Sequence, residues 1–220
     1  MKKKKWTKVA LALSACLFVL WWALGTGATL AWFSDHDTVR NEFQVGLLKM
    51  NVAYRNDTMQ SYSDLQGSTA VFNDKALYEP GYTQVVFLEI TNTGDTAFRY
   101  KLAVTVADSV EGENLWGEEI YLPNYLRYGV VFGKTEAEVQ QKVADRLAAK
   151  NNAPNDWGAL GTWSEISPNI LDAADKTHYA ALIVYMPEEV GNRANYRGTD
   201  IPQVALGITV FAQQANAPLQ

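Results

Sequence analysis

The chain has 220 residues, with 24 acidic against 19 basic side chains, a formal charge of −5, two histidines and one cysteine. An acidic balance excludes the broad basic face that nucleic acid or anionic lipid requires. A lone cysteine excludes a disulfide framework, and two histidines leave little for a histidine-rich metal centre.

Residues 1–31 read as an export signal. Lys2, Lys3, Lys4, Lys5 and Lys8 form a basic head and Val9–Leu24 an apolar run. The small-residue stretch Gly25–Ala31 places the cut between Ala31 and Trp32. A retained anchor would need about 20 apolar residues, and this run is shorter and followed by glycines. Leu13-Ser14-Ala15-Cys16 spells a lipid-acylation box, but only Val9–Ala12 would precede it, so Cys16 is expected to leave with the signal. Removal of residues 1–31 takes five lysines and no acid, leaving 14 basic against 24 acidic side chains, a charge of −10. The mature chain is therefore expected to be secreted, touching the membrane only through its signal, with 32–220 forming one domain around its own core.

The mature segments follow a period of two. Phe43–Tyr54 alternates but shifts phase at Gly46-Leu47-Leu48, which predicts a bulge where a strand changes sheets. Val85–Ile90, Tyr125–Phe132 and Thr177–Met186 are apolar on both faces and predict inner strands. Phe98, Tyr100, Leu102, Val104 and Val106 alternate with polar residues, as do Val204, Leu206, Ile208 and Val210, and both predict half-buried strands. Asn92-Thr93-Gly94-Asp95 lies between two of these runs as a hairpin signal, so Val85–Ile90 and Phe98–Val106 are expected to pair. Thr135 with Glu138 forms a capping box, and Val139, Val143 and Leu147 recur at helical spacing, predicting a helix over about 135–151. Ala153–Ile170 reads as an irregular surface excursion, so an insert runs over about 135–170. The expected class is all-β: a jelly-roll or Greek-key β-sandwich with one inserted helix and long loops.

Catalytic signals are sparse. No zinc-protease motif, nucleophile elbow, phosphate loop or paired-glycine nucleotide fingerprint occurs. Asp35-His36-Asp37 is locally metal-like, yet a zinc site would need both His36 and His178 plus a carboxylate. His178 opens an apolar strand and reads as a hydrogen-bonded rim residue. Glu111-Gly112-Glu113-Asn114 with Glu118-Glu119 is rich in oxygen but lacks the ordering of a calcium loop, so it reads as a solvated acidic turn. Trp116, Trp157 and Trp163 fall in loops, where they cap a core or stack on a carbohydrate. The residues thus point to no catalytic group, no metal and no cofactor.

An ordered set of short motifs runs through the mature chain. Ala31-Trp32-Phe33-Ser34-Asp35 stands at the cut and Phe43-Gln44-Val45-Gly46-Leu47 opens the first strand. Glu79-Pro80-Gly81, Thr91-Asn92-Thr93-Gly94, Met186-Pro187-Glu188 with Gly191-Asn192, and Ile208-Thr209-Val210-Phe211-Ala212-Gln213 follow. In these the chain resembles the TasA/camelysin (CalY) family of exported Gram-positive proteins, whose signals are cut by the dedicated peptidase SipW. The resemblance implies a jelly-roll protein of the cell surface whose members assemble into biofilm matrix fibres. It further implies that the freed N-terminal segment, here Trp32, Phe33, Ser34, Asp35, His36, Asp37, Thr38, Val39, Arg40 and Asn41, inserts as a strand into the next subunit. Partners would be copies of the chain or related matrix subunits, and the signal peptidase. Camelysin has been classed as a metallopeptidase, for which this sequence offers no zinc motif. Three readings follow in rank: a matrix subunit, a metallopeptidase, and a monomeric adhesin using Trp157 and Trp163.

Overall fold

The computed structural model describes residues 48–66, 71–73, 78–149, 157–172, 174–197 and 201–215. The signal, Cys16, the Ala31/Trp32 cut, and the Trp32–Asn41 segment with its Asp35-His36-Asp37 lie outside the described residues.

The doubly apolar runs become the middle of a six-stranded antiparallel sheet in the order β2-β1-β3-β9-β7-β8. Its strands are β1 (Met50–Asn56), β2 (Ser63–Asp64), β3 (Thr83–Asn92), β7 (Arg127–Gly133), β8 (Gly158–Ala159) and β9 (Thr177–Tyr185). The sheet is covered on both faces, which is why β3 and β9 carry no polar stripe. Val86, Leu88, Ile90, Ala180, Leu182 and Val184 face the main core; Ala181, Ile183 and Tyr185 face the other way. There Val139 and Val143 of the helix α2 (Glu136–Ala149) pack on them, each such burial stabilising by roughly 1.5–3 kcal/mol. Glu138 N–H donates to Thr135 Oγ1 at 3.2 Å, while the Glu138 carboxylate accepts from Lys134 N–H at 2.9 Å. The Thr135 half of the capping box forms as expected, while the return bond from Glu138 takes the N–H of Lys134, one residue before the cap.

The second layer is a two-stranded sheet of β4 (Phe98–Val110) and β11 (Gln203–Gln214), paired over their whole length with a bulge at Ala205/Leu206. Phe98, Tyr100, Leu102, Val104 and Ile208 point into the main core. The chain is thus an all-β sandwich with one long helix, as its periodicity predicts.

At one end of the sandwich lie β5 (Gly112–Asn114), β6 (Glu119–Ile120) and β10 (Tyr196–Arg197), forming a small third sheet. With them lie the one-turn helix α1 (Leu122–Tyr125) and a 3-10 segment, Glu188–Ala194, neither of which the periodicity announces.

Two sequence expectations are corrected. Val85–Ile90 and Phe98–Val106 do not form a hairpin: β3 pairs with β1 and β9, and β4 pairs with β11. Asn92-Thr93-Gly94-Asp95 instead carries the chain from one sheet to the other. The physical reason is Asn92, buried at 1 % exposure, whose Nδ2 donates to Thr96 O and Leu171 O and whose Oδ1 accepts from Gly94 N–H. Those bonds hold the chain in a crossover where a hairpin would need them free. The second correction concerns the end of the supposed excursion, which lines the edge of β4. Gly161, Ser164, Ser167 and Leu171 N–H donate to Val104, Leu102, Tyr100 and Phe98 O, at 2.6–2.9 Å.

Candidate functional site

The hydrogen bonds of the 161–171 segment fix the parity of the small sheet. They use the outward main-chain groups of Phe98, Tyr100, Leu102 and Val104; Ser167 Oγ and Ser164 Oγ accept from Tyr100 and Leu102 N–H at 3.2 and 3.0 Å. These residues therefore sit in the non-hydrogen-bonded pairs of the β4/β11 ladder, where both partners turn their N–H and C=O away from each other. Their partners are Gln214, Ala212, Val210 and Ile208. On β11 those groups point outward, and among the described residues none pairs with them.

One edge of the β4/β11 sheet is closed by side chains and main chain, and among the described residues the other is an open row of donors and acceptors. Such an edge is a template for an added strand. The same four residues carry a graded set of side chains: Ile208 is buried, Val210 and Ala212 are partly buried against the main core, and Gln214 is exposed.

Two contacts orient the edge. Tyr100 of β4 stands edge-on to Phe132 of β7 with ring centroids 5.6 Å apart, and the Tyr128 hydroxyl of β7 donates to Thr162 O. The covered edge of β4 therefore lies over β7, and the free edge of β11 turns toward the β3/β1 half. On that half Leu48, Met50 and Val52 are only partly buried against the core. Val210 and Ala212 of β11 are likewise partly buried against the same core. The Tyr100 hydroxyl is buried without a partner among the described residues, and burial pushes its pKa well above the ordinary tyrosine value.

The other sequence-derived candidates resolve differently. His178 is 1 % exposed on β9, with Nε2 3.4 Å from Asp175 Oδ2, inside ion-pair distance but without hydrogen-bond geometry. Burial lowers its pKa below the ordinary histidine range, with the Asp175 carboxylate opposing. Asp175 in turn pairs with Lys134 at 2.5 Å. Among the described residues no three His, Cys, Asp or Glu side chains gather as a metal site would require. Trp157 is buried against Tyr185, 4.4 Å between centroids, with the Arg146 guanidinium 4.7 Å from its ring. Gly129 makes room for that stack, since a Cβ there would lie 2.8 Å from Arg146 and 2.9 Å from Trp157. Trp163 packs edge-on to Phe211, and Lys101 lies over both rings. Neither tryptophan presents the open platform that a stacked carbohydrate needs.

The acidic loop is the tip of the β5/β6 hairpin. Asn114, fully buried, accepts from Trp116 and Glu118 N–H through Oδ1 and donates to the Glu118 carboxylate. Trp116 is left 61 % exposed.

Sequence reading found β11 but not its role. Its alternation marks a strand, and nothing in one strand's own residues tells which of its edges is free. The chain matches no protein-family model and no curated protein.

Proposed function

We propose that this chain is a secreted structural subunit of an extracellular matrix fibre. Trp32–Asn41 of one copy, freed by cleavage at Ala31/Trp32, adds as a strand to β11 of the next. The observation that carries this reading is the open row of main-chain groups at Ile208, Val210, Ala212 and Gln214, flanked by incompletely buried apolar side chains. The resemblance of the ordered motifs to the TasA/camelysin family supports it independently.

The physical logic is direct. A segment bearing Asp35, His36, Asp37 and Arg40 among its ten residues cannot bury enough surface to fold alone. Laid on β11 it gains main-chain hydrogen bonds, and Trp32 and Phe33 gain about 1.5–3 kcal/mol each wherever they become fully buried. The donor and acceptor surfaces differ, so the contact is head-to-tail and propagates without closing.

The test uses the Val210→Pro variant. Proline deletes the outward N–H of Val210, which β4 does not use, and edge strands tolerate it. Secreted wild-type protein should polymerise on concentration, read by light scattering and electron microscopy. Both Val210→Pro and a variant lacking Trp32–Asn41 should stay folded by circular dichroism and fail to polymerise. Wild-type protein that stays monomeric, or either variant forming normal fibres, refutes the proposal.

A further inference from the structure

All five large hydrophobic side chains that stand exposed among the described residues gather at one end of the β4/β11 ribbon. Val110 closes β4, and Leu115 and Trp116 form the β5/β6 tip. Tyr196 follows beside it, opposite Asn114, and Ile201 lies two residues before Gln203, the partner of Val110. The tip is pre-organised. Besides the Asn114 side-chain bonds, Asn114 N–H donates to Glu118 O and Gly117 N–H to Asn114 O, with Gly117 at φ 81°. Apolar surface held out in water on a fixed loop marks a contact surface, because binding there costs little ordering.

The chain leaves the described residues at the opposite end. Leu48 and Lys49 lead into Met50, which pairs with Asn92; Lys49 O accepts from Thr93 N–H, and Phe98 and Gln214 lie alongside. The thirteen residues of β4 separate the two ends by about 40 Å. Leu48, the first described residue, therefore stands at one end of the described molecule and the apolar cluster at the other.

Charge gives the contact a direction. Asp108, Glu111, Glu113, Glu118 and Glu119 are exposed at the apolar end beside Arg197, which pairs with Glu113. The chain-exit end carries Lys49, Arg99, Lys134 and Lys176 with Asp95, Asp172 and Asp175. Two apolar ends facing each other would oppose carboxylates to carboxylates, whereas an apolar end facing a chain-exit end avoids that repulsion.

We infer that Val110, Leu115, Trp116, Tyr196 and Ile201 form a docking face for the chain-exit end of a second copy of this chain, continuing the donor-strand contact on β11. The inference rests on the strand-addition reading above. A neighbour whose donor lies along β11, entering from the Gln203 end, must bring its own Leu48 end over this cluster. The face would thus fix the orientation of successive subunits, while β11 holds the strand.

A double variant, Leu115→Glu with Trp116→Glu, tests it, both side chains being exposed so that the fold is retained. Alone, the variant should require at least tenfold more protein to polymerise than wild type. Mixed at a few per cent into wild type it should shorten fibres, because its intact donor still adds to a wild-type head while its own damaged head accepts the next subunit poorly. Unchanged polymerisation with unchanged fibre length overturns the docking face and leaves strand addition standing, provided Val210→Pro still blocks assembly. A variant that polymerises poorly but does not cap wild-type fibres also overturns it, since that is the behaviour of a misfolded subunit. Wild-type protein that never polymerises defeats the strand-addition reading itself, and the docking face with it.

Discussion

His178 shows how one side chain couples the sheet to acidity. It is buried as the neutral form, so its folded pKa lies below the value near 6.5 of an unfolded histidine. A depressed histidine pKa means the unfolded state binds the proton more readily; stability is full above the unfolded value and falls as pH drops through it. Urea midpoints should therefore decline from pH 7.5 to pH 5.5. In His178→Gln the protein should be weaker at pH 7.5 but lose less over that window. A second decline belongs to the carboxylates Asp172, Asp175 and Glu138, held below their ordinary pKa mainly by backbone N–H donors for Asp172, by Lys134 for Asp175 and by Lys142 for Glu138. Their contribution is present above about pH 4 and disappears as pH falls below it. Equal slopes between pH 7.5 and 5.5 in wild type and His178→Gln would show that His178 is not the titrating group.

At the scale of elements, the 161–171 segment decides which edge of the small sheet is available. Ser164 and Ser167 replace strand neighbours by accepting from Leu102 and Tyr100 N–H through their hydroxyls. Replacing both serines by alanine should cost about 1–3 kcal/mol for each buried N–H left unpaired, seen as faster hydrogen exchange at Tyr100 and Leu102 with β3 unchanged. Retained protection at those two amides would mean the main chain alone closes the edge. This segment also marks the limit of what the sequence made legible. The strands were readable because burial imposes a period of two, and α2 because Thr135 and Val139, Val143 and Leu147 are local signals. Segment 161–171 has no period to read; it works through single hydroxyls and main-chain N–H groups aimed at a strand some sixty residues away. The β3/β4 hairpin failed for a related reason. An Asn-Thr-Gly-Asp sequence suits both a hairpin and a crossover, and the bond from Asn92 to Leu171 that selects the crossover is invisible locally. The open edge of β11, the proposed acceptor, was hidden twice over, since it depends on β11 having β4 on one side and on no described strand occupying the other.

For the whole molecule, the unequal layers matter most: among the described residues six strands face two, and only one flank of the smaller sheet is closed. Under the proposed strand addition that imbalance is an unfilled place, and the apolar cluster at the far end would give the neighbour's body a seat. The small sheet has a consequence in time as well. Phe98 and Gln214 are partners, so β4 must wait for a strand made roughly a hundred residues later, a closure far slower than local pairing. The β1/β3 pair joins residues much nearer in the chain, Asn56 to Val86 and Met50 to Asn92, and needs no part of β11. In pulse-labelled refolding, amides of β1 and β3 that bond each other should become protected before those of β4 and β11; simultaneous protection would refute that order. On the strand-addition reading, a chain that emerges N-terminus first would expose its donor early and its acceptor last. Until β11 arrived there would be no edge to receive a neighbour, and the order in which the strands mature would keep the nascent chain from polymerising.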